Sequence, residues 1–424
     1  MLYSAYDIQR NFLASASAMA TASMELLQNP ANPFAYFGGG PMLASALNVF
    51  AHAAAPRGKP AFGLTTTQVD GRTIAIEEVI EARKTFGQLK HFVRPEEAAA
   101  SEATGEAVAD GPALPKLLIV APMSGHFATL LRGTVARMLP GHDVYITDWR
   151  DARDVPLNEG GFDLDDYVDY LIDWLGHIGP GAHMLAVCQP SVPCLVAASV
   201  MSAAGNPCRP RSLTMMGGPI DTRQGPTAVN QLAQERPLSW FSQNAVVSVP
   251  FNYPGAGRQV YPGFMQLAGF MSMNLGNHLM SHWQMFRHLV QGDEESAEAT
   301  KAFYDEYRSV CDMAAEFYLQ TVNEVFKKHS LPKGEMRHRG VLVDTGAITD
   351  IALLAVEGER DDISGIGQTR AALDITPALP DAMKQYYLAK DVGHYGIFNG
   401  SKWRNRIAPV VEAWIARHDK LPRG

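Results

Sequence analysis

The sequence contains little cysteine, little charge and no long apolar run. Four cysteines among 424 residues are too few for a disulfide framework and predict a reducing compartment. The 36 Lys and Arg residues form no basic stripe and are outnumbered by 44 Asp and Glu residues, so we expect no nucleic-acid partner. No stretch approaches the roughly 18 apolar residues of a membrane span, so we expect none. The opening residues carry Asp7 and Arg10 and do not resemble an export signal, which favours a cytoplasmic protein.

What is present is the composition of a folded, enzyme-sized protein. Apolar residues make up 46% of the chain and charged residues 19%, which excludes disorder over most of its length. The spacing of Ala, Leu and Met over Phe12–Leu27 predicts a helix that is broken at Pro30 and Pro33. We favour a packed helix over a surface-seeking one, and we assign residues 1–64 to a helical N-terminal extension.

From residue 65 onwards, short apolar stretches alternate with helical spacing. Thr73–Ile76 and Leu89–Val93 predict strands joined by a turn near residues 84–87, and the Glu-, Ala- and Gly-rich segment 95–115 predicts a mobile linker. The further predicted strands are Leu117–Ala121, Asp143–Thr147, His183–Val187, Ser212–Met216, Ile351–Val356 and Gln385–Ala389. Because these strands are apolar almost throughout and are separated by helices, they predict an α/β protein with a mostly parallel sheet.

The alternation of strands and helices is interrupted between residues 221 and 340. This segment interleaves aromatic and methionine side chains, among them Trp240, Tyr253, Tyr261, Phe264 and Met265. The simplest interpretation is a largely helical cap inserted into an α/β core, which would then consist of residues 65–220 and 341–424.

Cys188 has the position of a catalytic nucleophile. It directly follows a predicted strand and precedes a predicted helix over Val192–Ala204, so a sharp turn would present its side chain above the sheet. The positive N-terminal end of that helix favours the thiolate over the thiol. A buried cysteine is more often inert, and Cys194, Cys208 and Cys311, which lack matching partners, are assigned structural roles.

An acid and a histidine follow two later strands. Asp361 comes after the strand that ends at Val356, and His394 follows the strand that ends at Ala389. The chain order of nucleophile, acid and histidine is that of the α/β-hydrolases, whose fold we therefore predict. In such a triad His394 takes the proton of the nucleophile and Asp361 orients the imidazole. Asp362 remains an alternative to Asp361, because adjacent side chains point in different directions.

Backbone N–H groups near the nucleophile are expected to bind the oxyanion that forms during the reaction. Gln189 supplies one, and the loop after the strand Leu117–Ala121 supplies another from Met123 or Ser124. Ser124 is an alternative nucleophile, but its place in the chain suits the oxyanion loop better. No Cys and His spacing resembles a zinc site, and no nucleotide-binding fingerprint is evident, so we predict neither a metal nor a cofactor.

Five segments of the chain resemble the intracellular polyhydroxybutyrate (PHB) depolymerases of polyester-storing bacteria. They are Ala121–Arg132, Thr147–Arg153, Ala186–Pro190, Gly358–Gly365 and Gly393–Phe398. The resemblance covers nearly the whole chain, and the family is similar to the polyhydroxyalkanoate (PHA) synthases, which also use a cysteine in an α/β-hydrolase core. It implies a triad of Cys188, Asp361 and His394.

The residues around the cysteine depart from the usual hydrolase pattern. Ala186 and Pro190 stand where ordinary hydrolases keep glycines, and a cysteine replaces the serine. This argues against ordinary lipases and against the exported depolymerases, which resemble secreted serine enzymes. Since the synthases keep glycines around their cysteine, the pattern favours degradation over synthesis.

The resemblance implies hydrolysis of amorphous intracellular poly(3-hydroxybutyrate) through a thioester on Cys188. The products would be 3-hydroxybutyrate or short oligomers, and the partner would be the surface of the polymer granule. Two alternatives stay open: a synthase-like acyltransferase that builds polyester from hydroxyacyl-coenzyme A, and a granule-coating protein without turnover. The sequence also leaves open whether coenzyme A replaces water, and what the oligomeric state is.

Overall fold

The computed structural model describes residues 2–29, 31–33, 39–95, 114–273, 285, 301 and 304–419. The strands are β1 (Thr66–Val69), β2 (Arg72–Ala75), β3 (Glu77–Lys84), β4 (Gly87–Val93), β5 (Lys116–Val120), β6 (Asp143–Trp149), β7 (His183–Val187), β8 (Ser212–Met216), β9 (Val247–Ser248), β10 (Gln259–Tyr261), β11 (Met313–Ala314), β12 (Arg337–His338), β13 (Val341–Leu342), β14 (Ala352–Gly358) and β15 (Lys384–Ala389).

The helices lie between these strands in the sequence and pack around them in space. They are α1 (Leu2–Gln28), α2 (Gly40–Ala54), α3 (Arg132–Met138), α4 (Leu164–Ile178), α5 (Ser191–Ala203), α6 (Ala228–Glu235), α7 (Leu238–Asn244), α8 (Gly263–Met273), α9 (Ala315–Thr321), α10 (Ala371–Asp374), α11 (Gly400–Lys402) and α12 (Ala408–Asp419). Short 3-10 or π turns precede or follow several of them, for example Ala128–Leu131 before α3 and Trp403–Ile407 before α12. No helix within the described ranges combines the length and the apolar character that crossing a membrane requires.

Eight strands form one central sheet in the order β3-β4-β6-β5-β7-β8-β14-β15. The six strands from β6 to β15 in this order pair in parallel, and β4 and β3 add an antiparallel edge. In the register of the sheet, Ile119 of β5 lies opposite Ile146 of β6 and Leu185 of β7. This mostly parallel sheet, covered by helices, confirms the predicted α/β-hydrolase fold.

The strands at the centre of the sheet are apolar because both of their faces are covered. Every residue of β7, β8 and β14 is buried, and strands of this kind show continuous apolar runs instead of alternation. Burying one Leu, Ile or Val side chain contributes about 1.5–3 kcal/mol, so these strands supply much of the stability of the core. The carboxyl ends of β5, β7, β8, β14 and β15 meet at one edge, where the candidate site lies.

Helix α4 runs from Leu164 to Ile178. A capping box begins it, since Asp163 accepts the Asp166 N–H at 2.8 Å and the Asp166 carboxylate accepts the Asp163 N–H at 2.9 Å. The linker predicted over residues 95–115 lies almost entirely outside the described residues.

The N-terminal residues form a pair of packed helices. Ser17 of α1 donates a hydrogen bond to the Ala51 carbonyl of α2 at 2.8 Å. The Tyr3 and Tyr6 rings of α1 pack on Phe264, with ring centroids 5.5 and 4.2 Å apart. One side of α1 is therefore packed against the segment between β8 and β14. That segment, which we predict to be a cap, contains α6–α9 and a small sheet of β11, β10 and β9.

Candidate active site

Cys188 lies at a sharp turn between β7 and α5. Its backbone φ is +67°, a left-handed value that residues other than glycine rarely adopt. The Cys188 N–H donates to the Met216 carbonyl at 2.7 Å, and the Ser191 N–H donates to the Cys188 carbonyl at 3.1 Å. The turn is thus held from both sides in a strained conformation, and the side chain is half-buried. This is the geometry of a nucleophile elbow.

Two glycines at the end of β8 leave the space that this turn occupies. A Cβ atom on Gly218 would lie 2.1 Å from Ser191 Oγ and 3.1 Å from the Cys188 carbonyl oxygen. A Cβ atom on Gly217 would lie 3.2 Å from His394 Cε1. These glycines were not predicted to be part of the site, although a glycine pair directly after a buried strand signals a close approach of backbone.

His394 connects Asp361 with Cys188. Its Nδ1 atom lies 2.7 Å from Asp361 Oδ2, and its imidazole shares a side-chain hydrogen bond with Cys188. The other Asp361 oxygen, Oδ1, accepts the N–H groups of Ile363 at 2.9 Å and Ser364 at 2.8 Å. The structure therefore brings the three predicted triad residues together, with both carboxylate oxygens of the acid engaged.

The charge state of His394 follows from these contacts. Burial alone would lower the pKa of His394, but the charges of Asp361 and Cys188 and the hydrogen bonds with both side chains outweigh burial and raise the pKa well above its ordinary value. The imidazole therefore holds a proton firmly. A cysteine nucleophile reacts as the thiolate partner of such an imidazolium.

Glu357 fixes the loop that follows Asp361. It is fully buried in β14, and its carboxylate accepts N–H groups from Gly367 at 2.8 Å, Thr369 at 2.7 Å and Arg370 at 2.9 Å. The Tyr386 hydroxyl donates to it as well, at 2.8 Å. A charged residue inside an otherwise apolar buried strand is the signal that could have identified this role from the sequence.

The loop after β5, where oxyanion donors were predicted, is anchored at its first residue. The Ala121 N–H donates to Thr147 Oγ1 at 2.9 Å, and the Ala121 carbonyl accepts Trp149 Nε1–H at 2.8 Å and the Tyr167 hydroxyl at 3.2 Å. This explains the local role of Trp149 within the segment Thr147–Arg153. A loop held at both backbone atoms by side chains keeps its later N–H groups in place.

The three predicted oxyanion residues lie close to one another. The Met123 N–H donates to Gln189 Oε1 at 3.3 Å, so the Gln189 side chain spans from the elbow to this loop. Ser124 follows on the same loop and is half-buried. The next residue, Gly125, has a φ of +95° and accepts the Cys311 N–H at 2.8 Å, which ties the loop to the segment before β11.

Two tyrosines border the site. The Tyr307 and Tyr395 rings lie edge to face with centroids 5.4 Å apart, and their hydroxyls share a hydrogen bond. Burial raises the pKa of Tyr307 to about 12 and that of Tyr395 well above its ordinary value. Asp362, the alternative acid, is exposed, and its charge acts on these two hydroxyls, whereas Asp361 occupies His394 Nδ1.

The other cysteines lie in different surroundings. All four are free thiols. Cys194 and Cys311 are buried, and burial raises the pKa of both, while Cys208 is half-buried. Among the residues that the structure describes, no three His, Cys, Asp or Glu side chains are grouped as metal ligands.

Comparison with known proteins finds two similarities to proteins of polyester metabolism. Residues 217–419, just under half of the chain, match the family described as PHB de-polymerase C-terminus. The poly(3-hydroxyalkanoate) polymerase subunit PhaC of Haloferax mediterranei is 23% identical over 287 residues, which cover 66% of this chain and 53% of that protein. The chain is thus similar over part of its length to proteins of the PHB/PHA family of α/β-hydrolases. It spans about half the length of this curated relative.

Solved structures similar to this chain share little sequence with it. The monoacylglycerol lipase of Paleococcus ferrophilus is 10% identical, with a TM-score of 0.43 and coverage of 72% of this chain and 96% of that one. A thermophilic esterase from Thermogutta terrifontis is 13% identical, with a TM-score of 0.41 and coverage of 81% and 100%. The fold of the chain follows from its own strand order.

Proposed function

We propose that this protein is an intracellular poly(3-hydroxybutyrate) depolymerase with a cysteine nucleophile. The observation that carries the proposal is the contact series from Asp361 through His394 to Cys188 at a strained elbow. The match of residues 217–419 to a PHB depolymerase family supports the choice of substrate.

The proposed reaction has two steps. The Cys188 thiolate attacks an ester carbonyl carbon of the polymer, and when the C–O bond breaks, the leaving alkoxide takes the proton of the His394 imidazolium. A water molecule then gives a proton to His394 and attacks the thioester, and the C–S bond breaks. This step releases a 3-hydroxybutyrate unit or oligomer and restores the thiolate. Asp361 keeps the imidazole oriented and stabilises its positive charge throughout.

The proposal is tested with variants of the nucleophile on amorphous polymer granules. We expect Cys188→Ala to release no 3-hydroxybutyrate above background, and Cys188→Ser to be strongly impaired. Cys208→Ser is the matched control, since this thiol is also half-buried but lies outside the site, and it should retain wild-type release. Release by Cys188→Ala at the wild-type rate would refute the proposal.

The relationship to a polymerase subunit makes synthesis the second candidate. A synthase would use the same thioester on Cys188 but would transfer the acyl group to a growing chain and release coenzyme A. Incubation with 3-hydroxybutyryl-coenzyme A distinguishes the two, because only a synthase should release coenzyme A together with polymer. Degradation assays with and without coenzyme A then separate thiolysis from hydrolysis by their products.

The exposed face of α1 supports contact with an insoluble, uncharged polymer. Four large apolar side chains on this helix are at least 64% exposed: Ile8, Phe12, Met19 and Leu26. At 3.6 residues per turn they fall within about 40° of the helix circumference and extend along about 27 Å. Single exposed apolar residues are normal on soluble proteins, but these four are aligned on one face of the helix. The strip carries no charge, so we propose that it docks the protein on the granule surface.

A further inference from the structure

The Gln189 side chain occupies a central place that the steps above leave without a role. Its Oε1 accepts the Met123 N–H at 3.3 Å. Its Nε2 is buried, and none of the described residues accepts a hydrogen bond from it. A buried N–H group without an acceptor costs about 1–3 kcal/mol. An unpaired buried group in a folded protein requires an explanation, and at a reaction centre a substrate can supply the missing acceptor.

The neighbours of Gln189 limit where this acceptor can lie. Gln189 directly follows Cys188, and its backbone N–H is already a predicted oxyanion donor. The Met123 N–H, the other predicted donor, is engaged with Gln189 Oε1 in this structure. Met123 is buried and belongs to the loop that Ala121 anchors, so it cannot readily turn towards another acceptor.

The Gln189 carboxamide can transmit the polarising effect of the Met123 N–H from its oxygen to its nitrogen. When an amide accepts a hydrogen bond at its oxygen, the group becomes polarised and its N–H becomes a stronger donor. Met123 therefore acts on Gln189 Oε1, and the gain in donor strength is at Nε2. Both ends of this relay are buried, where hydrogen bonds to a developing charge are stronger than in water.

We infer that the Gln189 carboxamide is itself an oxyanion donor, with Nε2–H binding the ester carbonyl oxygen as it becomes negative. The inference rests on the proposed ester cleavage. As the Cys188 sulfur bonds to the carbonyl carbon, the C=O π electrons move to the oxygen, which then accepts from the Gln189 backbone N–H and from Nε2–H. When the C–O bond breaks, the carbonyl forms again and both hydrogen bonds weaken. The interaction is thus strongest in the transition state, where it increases the rate.

Two substitutions of Gln189 by side chains of similar length distinguish hydrogen-bond donation to the substrate from positioning of the Met123 loop. Gln189→Met removes both the acceptor for Met123 and the donor for substrate. Gln189→Glu keeps an acceptor for the Met123 N–H and removes the donor. On a soluble 3-hydroxybutyrate oligomer we expect kcat to fall about a hundredfold or more in both variants, with little change in KM, as for the loss of one oxyanion donor.

Alkylation of Cys188 by iodoacetamide, followed against pH, supplies the control because it needs no oxyanion. Both variants should be alkylated at the wild-type plateau rate, and kcat is compared at a pH where the thiol is fully reactive. An unchanged kcat in Gln189→Met would overturn the inference. Rescue by Gln189→Glu would overturn it too, because Gln189 would then only hold the Met123 loop. If Cys188→Ala were as active as wild type, the proposed function would fail instead.

Discussion

Asp361 is held so that it can serve only one partner. Its Oδ1 accepts two backbone N–H groups, which leaves Oδ2 for His394 Nδ1 at 2.7 Å. The carboxylate cannot rotate away without losing both backbone hydrogen bonds. Its charge therefore stays beside the imidazole, where it helps to raise the pKa of His394 against the opposing effect of burial. Asp362, one residue later, is exposed.

The two neighbouring acids should consequently respond very differently to the same substitution. Asp361→Asn keeps the size of the side chain but removes the charge that stabilises the imidazolium, so we expect kcat to fall on the order of 10³–10⁴-fold. Asp362→Asn is the matched control and should change kcat by less than about threefold, as expected of an exposed residue. Steady-state kinetics on a soluble ester make the comparison. Equal losses in the two variants would show that the assignment of the acid is wrong.

The triad residues could be located from the sequence because Cys188 directly follows a predicted strand and the other two lie shortly after predicted strands. Parallel strands bring such positions to one edge of the sheet, so Cys188, Asp361 and His394 were expected to meet there. Their catalytic roles remain predictions. The choice between Asp361 and Asp362 and the direction of the Gln189 side chain depend on turn geometry and tertiary contacts, which periodicity does not encode.

At the scale of elements, the elbow depends on the strand beside it. The end of β8 passes so close to the turn after β7 that a side chain at Gly218 would overlap Ser191, whose Oγ would lie 2.1 Å from the added Cβ. This explains how a chain with Ala186 and Pro190 around its nucleophile still forms the turn. The small residues that the elbow needs are supplied by a neighbouring strand.

We therefore expect Gly218→Ala to displace the elbow. Ser191 or the Cys188 carbonyl must move to make room for the methyl group. This overpacking should destabilise the protein by about 1–3 kcal/mol and should also slow alkylation of Cys188.

Gly176→Ala is the control, because a Cβ there meets no atom within 4 Å on the exposed side of α4. That variant should gain up to about 1 kcal/mol from helix propensity. Urea denaturation and alkylation rates provide the readouts. A Gly218→Ala protein as stable and as reactive as wild type would contradict the close approach.

The apolar strip on α1 should govern binding to the polymer without affecting the chemistry. Phe12→Ser with Met19→Ser removes the two most exposed side chains of the strip, and we expect the variant to co-sediment poorly with amorphous granules. Gln9→Ser with Glu25→Ser alters exposed positions about 100° away on the same helix and should bind as wild type does. Activity on a soluble oligomer should be equal in all three proteins. Granule binding that is unaffected by the strip variant would assign docking to another surface.

The elements that the sequence did not predict are at the edge of the sheet. Strand β3 was missed because its residues are mostly charged and it pairs with β4 alone, so solvent replaces the apolar neighbours that identify a central strand. The predicted strand at Thr73–Ile76 exists in part as β2 but pairs with β1 outside the central sheet. Central strands such as β7 were predicted with their observed bounds, because burial on both faces dictates an apolar run.

At the scale of the whole molecule, buried ionisable groups meet where residues 304–314 join the core. The Asp312 N–H donates to Asp151 Oδ1 at 3.1 Å, and Asp312 Oδ1 accepts the Gly263 N–H at 2.9 Å. Burial raises the pKa of Asp151 to about 6 and that of Asp312 to about 7. Elsewhere in the core, burial lowers the pKa of His126 and His183 to about 4.

These two sets of groups oppose each other in the pH dependence of stability. Between pH 4 and 6.5 the histidines bind fewer protons in the folded state than in the unfolded state, so their contribution to the free energy of unfolding falls as the pH falls. Between about pH 4 and 7 the two carboxyl groups bind more protons in the folded state, so their contribution falls as the pH rises. We therefore expect the contributions of these four groups to the free energy of unfolding to offset one another in large part over this range.

Asp312→Asn should reveal how the histidines contribute to the free energy of unfolding, because it removes the largest contribution that opposes them. The amide keeps an acceptor for the Gly263 N–H and carries no charge at any pH. The variant should match wild type near pH 4 and exceed it at pH 8 by on the order of 4 kcal/mol, since each unit of pKa shift corresponds to about 1.4 kcal/mol. Its stability should then rise from pH 4 to 7.

Asp173→Asn, at an exposed ion pair with Lys84, should follow the wild-type curve throughout. Urea denaturation at closely spaced pH values measures all three proteins. Parallel curves for wild type and Asp312→Asn would mean that Asp312 titrates as an ordinary carboxyl group and that the junction is hydrated.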